Sequence, residues 1–212
     1  MGAGERLRAG ILIFPDVEVL DFCGPFEVLS VTRLEESRRR EDPSPFEVLL
    51  VAETLDPVRA TGGMTVLPHA DLDHCPPLDI LVVPGGWGAR PALENGRLVS
   101  WIAGRAAQAK VTASVCTGAL LLGKAGLLEG RRATTHWWTL DWMESLFPGT
   151  AVVRDLHVVE DGPVVTSAGI SAGIDMTLCL VARLLGETVA RATARYMEYP
   201  YPDDVRRRIA LP

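Results

Sequence analysis

Short Val-, Ile- and Leu-rich runs alternate with longer segments whose apolar residues recur every three to four positions. This alternation predicts an α/β fold, a mostly parallel central sheet with helices on both faces. The strand-like runs are nearly all apolar, as strands buried on both faces require. With 48% hydrophobic and 23% charged residues over 212 positions, the chain has the composition of an ordinary globular protein. Open α/β sheets of this length are commonly one unit, so residues 1–212 are expected to form a single domain.

The first strand is expected at residues 9–14, closed by Pro15 and Asp16. Residues 16–34 follow with helical spacing and contain Pro25, which cannot donate to the carbonyl of Asp21 and should bend the helix there. Phe46–Ala52 reads as the second strand, and residues 54–67, with Pro57, Gly62 and Gly63, as a hairpin excursion. Ile80–Val83 and residues 110–115 are the next core strands, each followed by a helical pattern, at 97–108 and 117–128. Residues 138–147 carry the same helical spacing. Residues 152–165 suggest a second hairpin turning at Asp161-Gly162, and Val164–Ser167 a last strand. Helical patterns at 171–185 and 187–197 end the series.

A formal charge of −6 argues against nucleic acid as a partner, since that affinity comes from clustered Lys and Arg. Arg38-Arg39-Arg40 and Arg206-Arg207-Arg208 lie beside carboxylates and read as solvated, charge-mixed surface. The N-terminal stretch offers Glu5, Arg6 and Arg8, then only four apolar residues before Pro15. That is too short for a signal sequence or a membrane span, so a cytoplasmic protein with no membrane partner is expected. Cys23, Cys75, Cys116 and Cys179 show no Cys-x-x-Cys spacing, which predicts free thiols, no metal and no cofactor.

Ligands of open α/β sheets bind at the carboxyl ends of the strands, so the turns leaving the strands are where reactive groups belong. Ser114-Val115-Cys116-Thr117-Gly118 passes from strand to helix and has the small-x-nucleophile-x-Gly shape of a nucleophile elbow. A thiol there faces the N-terminus of the next helix, which should lower its pKa and favour thiolate. A small buried hydrophobe is the plainer alternative for Cys116. Pro84-Gly85-Gly86-Trp87-Gly88 leaves the preceding strand, and N–H groups of Gly85 or Gly86, with that of Thr117, could form an anion pocket. Asp21, among Leu20, Phe22 and Cys23, is either a helix cap or a partly buried functional carboxyl, and its apolar flanks favour the second. His136, before Trp137 and Trp138, is a base, a group that orients the thiol, or equally a hydrogen-bonded structural histidine. Phe22, Trp137, Trp138 and Ile170 are candidates for an apolar substrate wall, though core packing explains them as readily, and His69, His74 and His157 fall in polar loops or hairpins.

In chain order, Leu20-Asp21-x-x-Gly24-Pro25, Val83-Pro84-Gly85-Gly86, the Cys116 segment, Ala133-Thr134-Thr135-His136-Trp137 and Gly169-Ile170-x-Ala172-Gly173-Ile174-Asp175 span nearly the whole sequence. Together they resemble the ThiJ/PfpI superfamily, similar to class I glutamine amidotransferases, and within it the isonitrile hydratases and the sensor domains of some AraC-type regulators. The resemblance implies a flavodoxin-like three-layer sandwich and a homodimer. It also implies that Asp21, Cys116 and Thr117 are the functional residues, because these positions match those of isonitrile hydratases. Protease and chaperone members tend to carry His after the elbow Cys, where this chain has Thr117. Glyoxalase-type members usually carry Glu where this chain has Asp21.

The implied reaction is hydration of a small-molecule isonitrile to an N-substituted formamide. Cys116 would attack the terminal carbon and Asp21 would supply the proton, through a covalent thioimidate. Two anions in contact repel, so Asp21 and Cys116 should share one proton over some pH range. The competing readings are a sensor or stress-response protein with a redox-sensitive Cys116, and a glyoxalase- or amidase-like enzyme.

Overall fold

The computed structural model describes residues 6–211; Glu5 of the N-terminal stretch lies outside them. In chain order the strands are β1 (Leu7–Leu12), β2 (Phe46–Ala52), β3 (Val58–Arg59), β4 (Thr65–Val66), β5 (Ala70–Asp71), β6 (Ile80–Val83), β7 (Val111–Ser114), β8 (Arg132–Ala133), β9 (Ala151–Val152), β10 (Val158–Asp161) and β11 (Val164–Ser167). The helices are α1 (Val19–Val31), α2 (Ala89–Ala92), α3 (Gly96–Ala106), α4 (Gly118–Lys124), α5 (Leu140–Leu146), α6 (Ala172–Leu185) and α7 (Glu187–Tyr196).

Seven strands form the main sheet in the order β10-β11-β7-β6-β1-β2-β5. Every pairing in it is parallel except the β10–β11 hairpin at one edge. The expected mostly parallel sheet is therefore the observed one, and its central strands β6, β7 and β11 are buried at every position. From β1 the chain crosses to β2 on one side and later returns to β6 on the other. That reversal opens a crevice at the carboxyl ends of β1 and β6, the place where open α/β sheets hold ligands.

The differences from the sequence reading lie at ends and edges. The first strand is paired over Leu7–Leu12, two residues earlier than expected, because Asp79 draws the Arg8 N–H and Ile13 and Phe14 run on into the crevice turn. Helix α1 runs through Pro25 without interruption, and Gly24 beside it lets the helix approach Ile174 of α6. Residues Val58 to Val66 form the expected hairpin excursion as the pair β3–β4. The second hairpin is shorter than expected: it turns at Gly162, whose φ of 61° favours glycine, while Val152 pairs with β8 instead. Among the described residues no helix is long and apolar enough to cross a membrane.

Candidate active site

Three turns meet in the crevice. The first leads from β1 into α1 and carries Asp21 in the helix's first turn, with its side chain wholly removed from solvent. The second leaves β6 and carries Gly85 and Gly86. The third joins β7 to α4 and carries Cys116, which is 6% exposed and has φ 56°, a left-handed conformation that costs energy for a residue with a Cβ. The strain is held by bonds on both sides of the residue. The Cys116 N–H donates to Ala168 O at 3.1 Å, and its carbonyl accepts from Thr135 Oγ1 at 2.8 Å. Two glycines permit the close packing of the turns: a Cβ on Gly118 would strike Val83 O, and one on Gly85 would strike Thr117 Oγ1 and N.

The backbone donors expected to form an anion pocket are already used. Gly85 N–H donates to Asp21 Oδ2 at 3.0 Å. Gly86 N–H donates to Thr117 Oγ1 at 3.0 Å, and that hydroxyl returns a bond to Gly86 O at 3.2 Å. The N–H of Thr117 is directed at the Cys116 sulfur. The glycine turn thus orients the acid and the threonine, and the expected anion pocket is corrected accordingly.

The electrostatics of Cys116 also differ from expectation. Burial and the neighbouring Asp21 charge push its thiol well above the usual range, outweighing the Thr117 N–H bond that favours thiolate. The helix that was to stabilise a thiolate is only seven residues long, so its dipole is small against the loss of solvent. Burial likewise raises Asp21 to about 8, against the Gly85 hydrogen bond that favours the carboxylate and with a further push from Glu18. Asp21 Oδ1 has no partner of strict hydrogen-bond geometry, and the Cys116 thiol is the polar group that interacts with this carboxyl across the crevice. Both shifts favour the protonated forms, so the shared single proton expected for the pair belongs to a higher pH than the ordinary carboxylate range.

Cys116 and Thr117 open on a cavity of about 250 Å³ whose wall includes His136, Trp138 and Ile170. His136 Nδ1 accepts the Trp138 N–H at 3.2 Å, which puts the proton of the neutral ring on Nε2. Burial, aided by the charges of Arg207 and Arg90, holds its pKa below the ordinary value, so the ring is neutral at pH 7. Its observed bond caps its own turn. Ile170, φ 36°, and Trp138 stand in the wall partly exposed, whereas Trp137 turns to a smaller neighbouring cavity beside His157. Phe22 is buried in the core. A larger cavity of about 440 Å³, between the ends of β1 and β2 and helix α3, is lined by Glu53 and Asp56 but by no thiol or histidine.

Two features escaped the sequence reading. His157, assigned to a polar hairpin, is buried, with Nδ1 2.7 Å from Arg206 O and Nε2 2.9 Å from Asp175 Oδ2, off the line of a strict hydrogen bond. Tyr199 and Arg208 complete the partners of Asp175, at 3.0 and 3.1 Å. Arg207, assigned to solvated surface, is half-buried and donates to Arg154 O, Thr134 Oγ1 and Thr135 O at 2.8, 3.0 and 3.2 Å. It can do so because Arg206 bridges to Leu156 and lays the tail against the Thr134-Thr135-His136 wall.

A family signature described as DJ-1/PfpI matches residues 7–183. The chain belongs to the DJ-1/PfpI family. It is 40% identical over 193 residues to an isonitrile hydratase of Pseudomonas putida, covering 91% of this chain and 78% of that protein. It is 33% identical over 179 residues to the HTH-type transcriptional regulator CdhR of Pseudomonas aeruginosa, covering 84% of this chain but 51% of the regulator. A solved THiJ/PfpI family protein from Pseudomonas syringae superposes with a TM-score of 0.79 at 32% identity, over 94% of this chain and 78% of that one. The flavodoxin-like architecture expected from the motifs is thus the architecture of this DJ-1/PfpI chain.

Proposed function

We propose that this DJ-1/PfpI protein is a cysteine-dependent isonitrile hydratase. The observation that carries this reading is a wholly buried acid, Asp21, beside the buried Cys116 thiol, each shifted toward its protonated form, with the Gly85 and Gly86 N–H groups of the neighbouring turn already used. Attack on a carbonyl develops an oxyanion and calls for free donors to receive it. An isonitrile has no oxygen, and its terminal carbon carries a lone pair that accepts a proton. A neutral carboxylic acid beside a neutral thiol suits that substrate.

In the first step the Asp21 carboxyl gives its proton to the terminal carbon and a C–H bond forms. The Cys116 sulfur then bonds to the same carbon, the displaced π pair settles on nitrogen, and the thiol proton passes to the Asp21 carboxylate. The product is a thioimidate, R–N=CH–S–Cys116, with Asp21 again protonated. In the second step water adds to that carbon, its oxygen forming the new C–O bond while a proton reaches nitrogen. Collapse breaks the C–S bond, returns a proton to sulfur and releases R–NH–CHO. Thr117, by fixing Gly86 and donating its N–H to sulfur, holds the thiol on the line of attack.

A redox-sensing role for Cys116 fits less well, because oxidation proceeds through an accessible thiolate and this thiol is buried and protonated. The likeness to an isonitrile hydratase over most of both chains supports the enzymatic reading. The test is incubation with cyclohexyl isocyanide and detection of N-cyclohexylformamide. Product is expected from the natural chain and none from Cys116→Ala; equal rates from both would overturn the proposal.

A further inference from the structure

Arg90, in α2, lines the same cavity as Cys116. Its guanidinium carbon lies 4.7 Å from the Trp87 ring centre and 5.4 Å from that of Trp142. Among the described residues no carboxylate comes within ion-pair distance of it. Ring contacts engage the face of a guanidinium and leave the N–H groups along its edge able to bind in plane, which is the geometry that receives a carboxylate in two parallel hydrogen bonds. The surroundings are apolar: Trp87 and Trp138 meet edge to face at 6.0 Å, and Ile170 stands in the same wall.

Glu18 is the other charged group of the cavity, three residues before Asp21 and close enough to raise its pKa. Arg90 acts instead on His136. An anionic group on a substrate is therefore repelled from the Glu18 side and drawn to the Arg90 side, and the reacting carbon is left facing Cys116. We propose that Arg90 is a specificity-determining residue that selects isonitriles bearing a carboxylate on an apolar or aromatic substituent. This rests on reading the Cys116 cavity as the substrate pocket of an isonitrile hydratase.

The test compares benzyl isocyanide with 4-(isocyanomethyl)benzoate on the natural chain and on Arg90→Gln. The natural chain should favour the carboxylate at least about tenfold in kcat/KM, and Arg90→Gln should erase most of that ratio. Because both substrates are measured on the same variant, a loss of folding cancels from the ratio. In parallel, the two formamide products, N-benzylformamide and 4-(formamidomethyl)benzoate, are titrated against Cys116→Ala and Cys116→Ala/Arg90→Gln by tryptophan fluorescence. Preferred binding of the carboxylate that depends on Arg90 supports the inference even if neither isonitrile is hydrated, an outcome that would remove the proposed reaction alone. Turnover of benzyl isocyanide with no preference for the carboxylate, or a preference unchanged in Arg90→Gln, overturns the Arg90 assignment and leaves the reaction standing.

Discussion

Replacing Asp21 with Asn should destroy turnover and stabilise the fold, and the gain should grow with pH. An aspartate is ionised above its ordinary value of 3.8 in the unfolded chain, but here folding moves it to about 8. Between those values the folded state binds a proton that the unfolded state lacks. The stability associated with this proton is whole below about pH 4, falls as pH rises, and levels off above about 8. At 1.36 kcal/mol per pH unit, the cost is roughly 2 kcal/mol at pH 5 and about 5 at pH 8. Asn cannot titrate and can still accept the Gly85 N–H through its side-chain oxygen. Urea unfolding of the natural chain and Asp21→Asn, at pH 5 and pH 8, should therefore show the gap between them widening by on the order of 3 kcal/mol. If the two unfold with parallel pH dependence, Asp21 is not the high-pKa acid described, and its role as proton donor goes with it.

The same ionisation sets the pH profile: kcat/KM for an isonitrile should fall as pH rises through about 8, where Asp21 loses the proton it donates, and a rate that climbs there would point to thiolate attack. Cys116 in the natural chain should react with iodoacetamide more slowly at pH 7 than a free thiol, as followed by mass spectrometry, since burial and Asp21 disfavour its thiolate. Thr135→Val removes the hydroxyl that donates to Cys116 O, at a cost of about 1 kcal/mol or more in thermal unfolding and with a larger loss in kcat than in KM. Gly118→Ala forces a Cβ against Val83 O and should lower the melting temperature by several degrees while reducing turnover, measured by calorimetry and formamide assay.

The strands that carry the site were legible because buried parallel strands advertise themselves as short apolar runs: Ile80–Val83 and Val164–Ser167 stand where those runs stand. Two-residue pairs such as β5, β8 and β9 give no periodicity to read and exist only because a neighbour supplies the hydrogen bonds. Among site residues, the residue types at each turn could be read locally, but their hydrogen-bond partners could not. Whether Gly85 N–H is free or spent depends on Asp21, 64 positions away in sequence. The upward shift of the Cys116 thiol runs against the thiolate expectation for a related reason, since a helix start is visible in sequence but burial is not. His157 and Asp175 looked unremarkable because each acquires its meaning from the other, across a strand and a helix turn. Arg207 belongs with them: a run of arginines beside aspartates has the pattern of surface, and only the bridge at Leu156 turns one of them inward.

That inward arginine ties a distant stretch of the chain to the turn that carries Cys116. The main sheet is complete in sequence once β11 ends at Ser167, and helices α6 and α7 follow it. The Thr134–Thr135 wall that steadies the carbonyl of Cys116 is tied down by Arg207, 72 positions beyond Thr135. Arg207 is the second tier of that brace, behind the Thr135 hydroxyl that meets Cys116 itself. Anchoring of the Cys116 turn is thereby shared with a segment beyond the last helix, so a change there reaches the crevice without touching it.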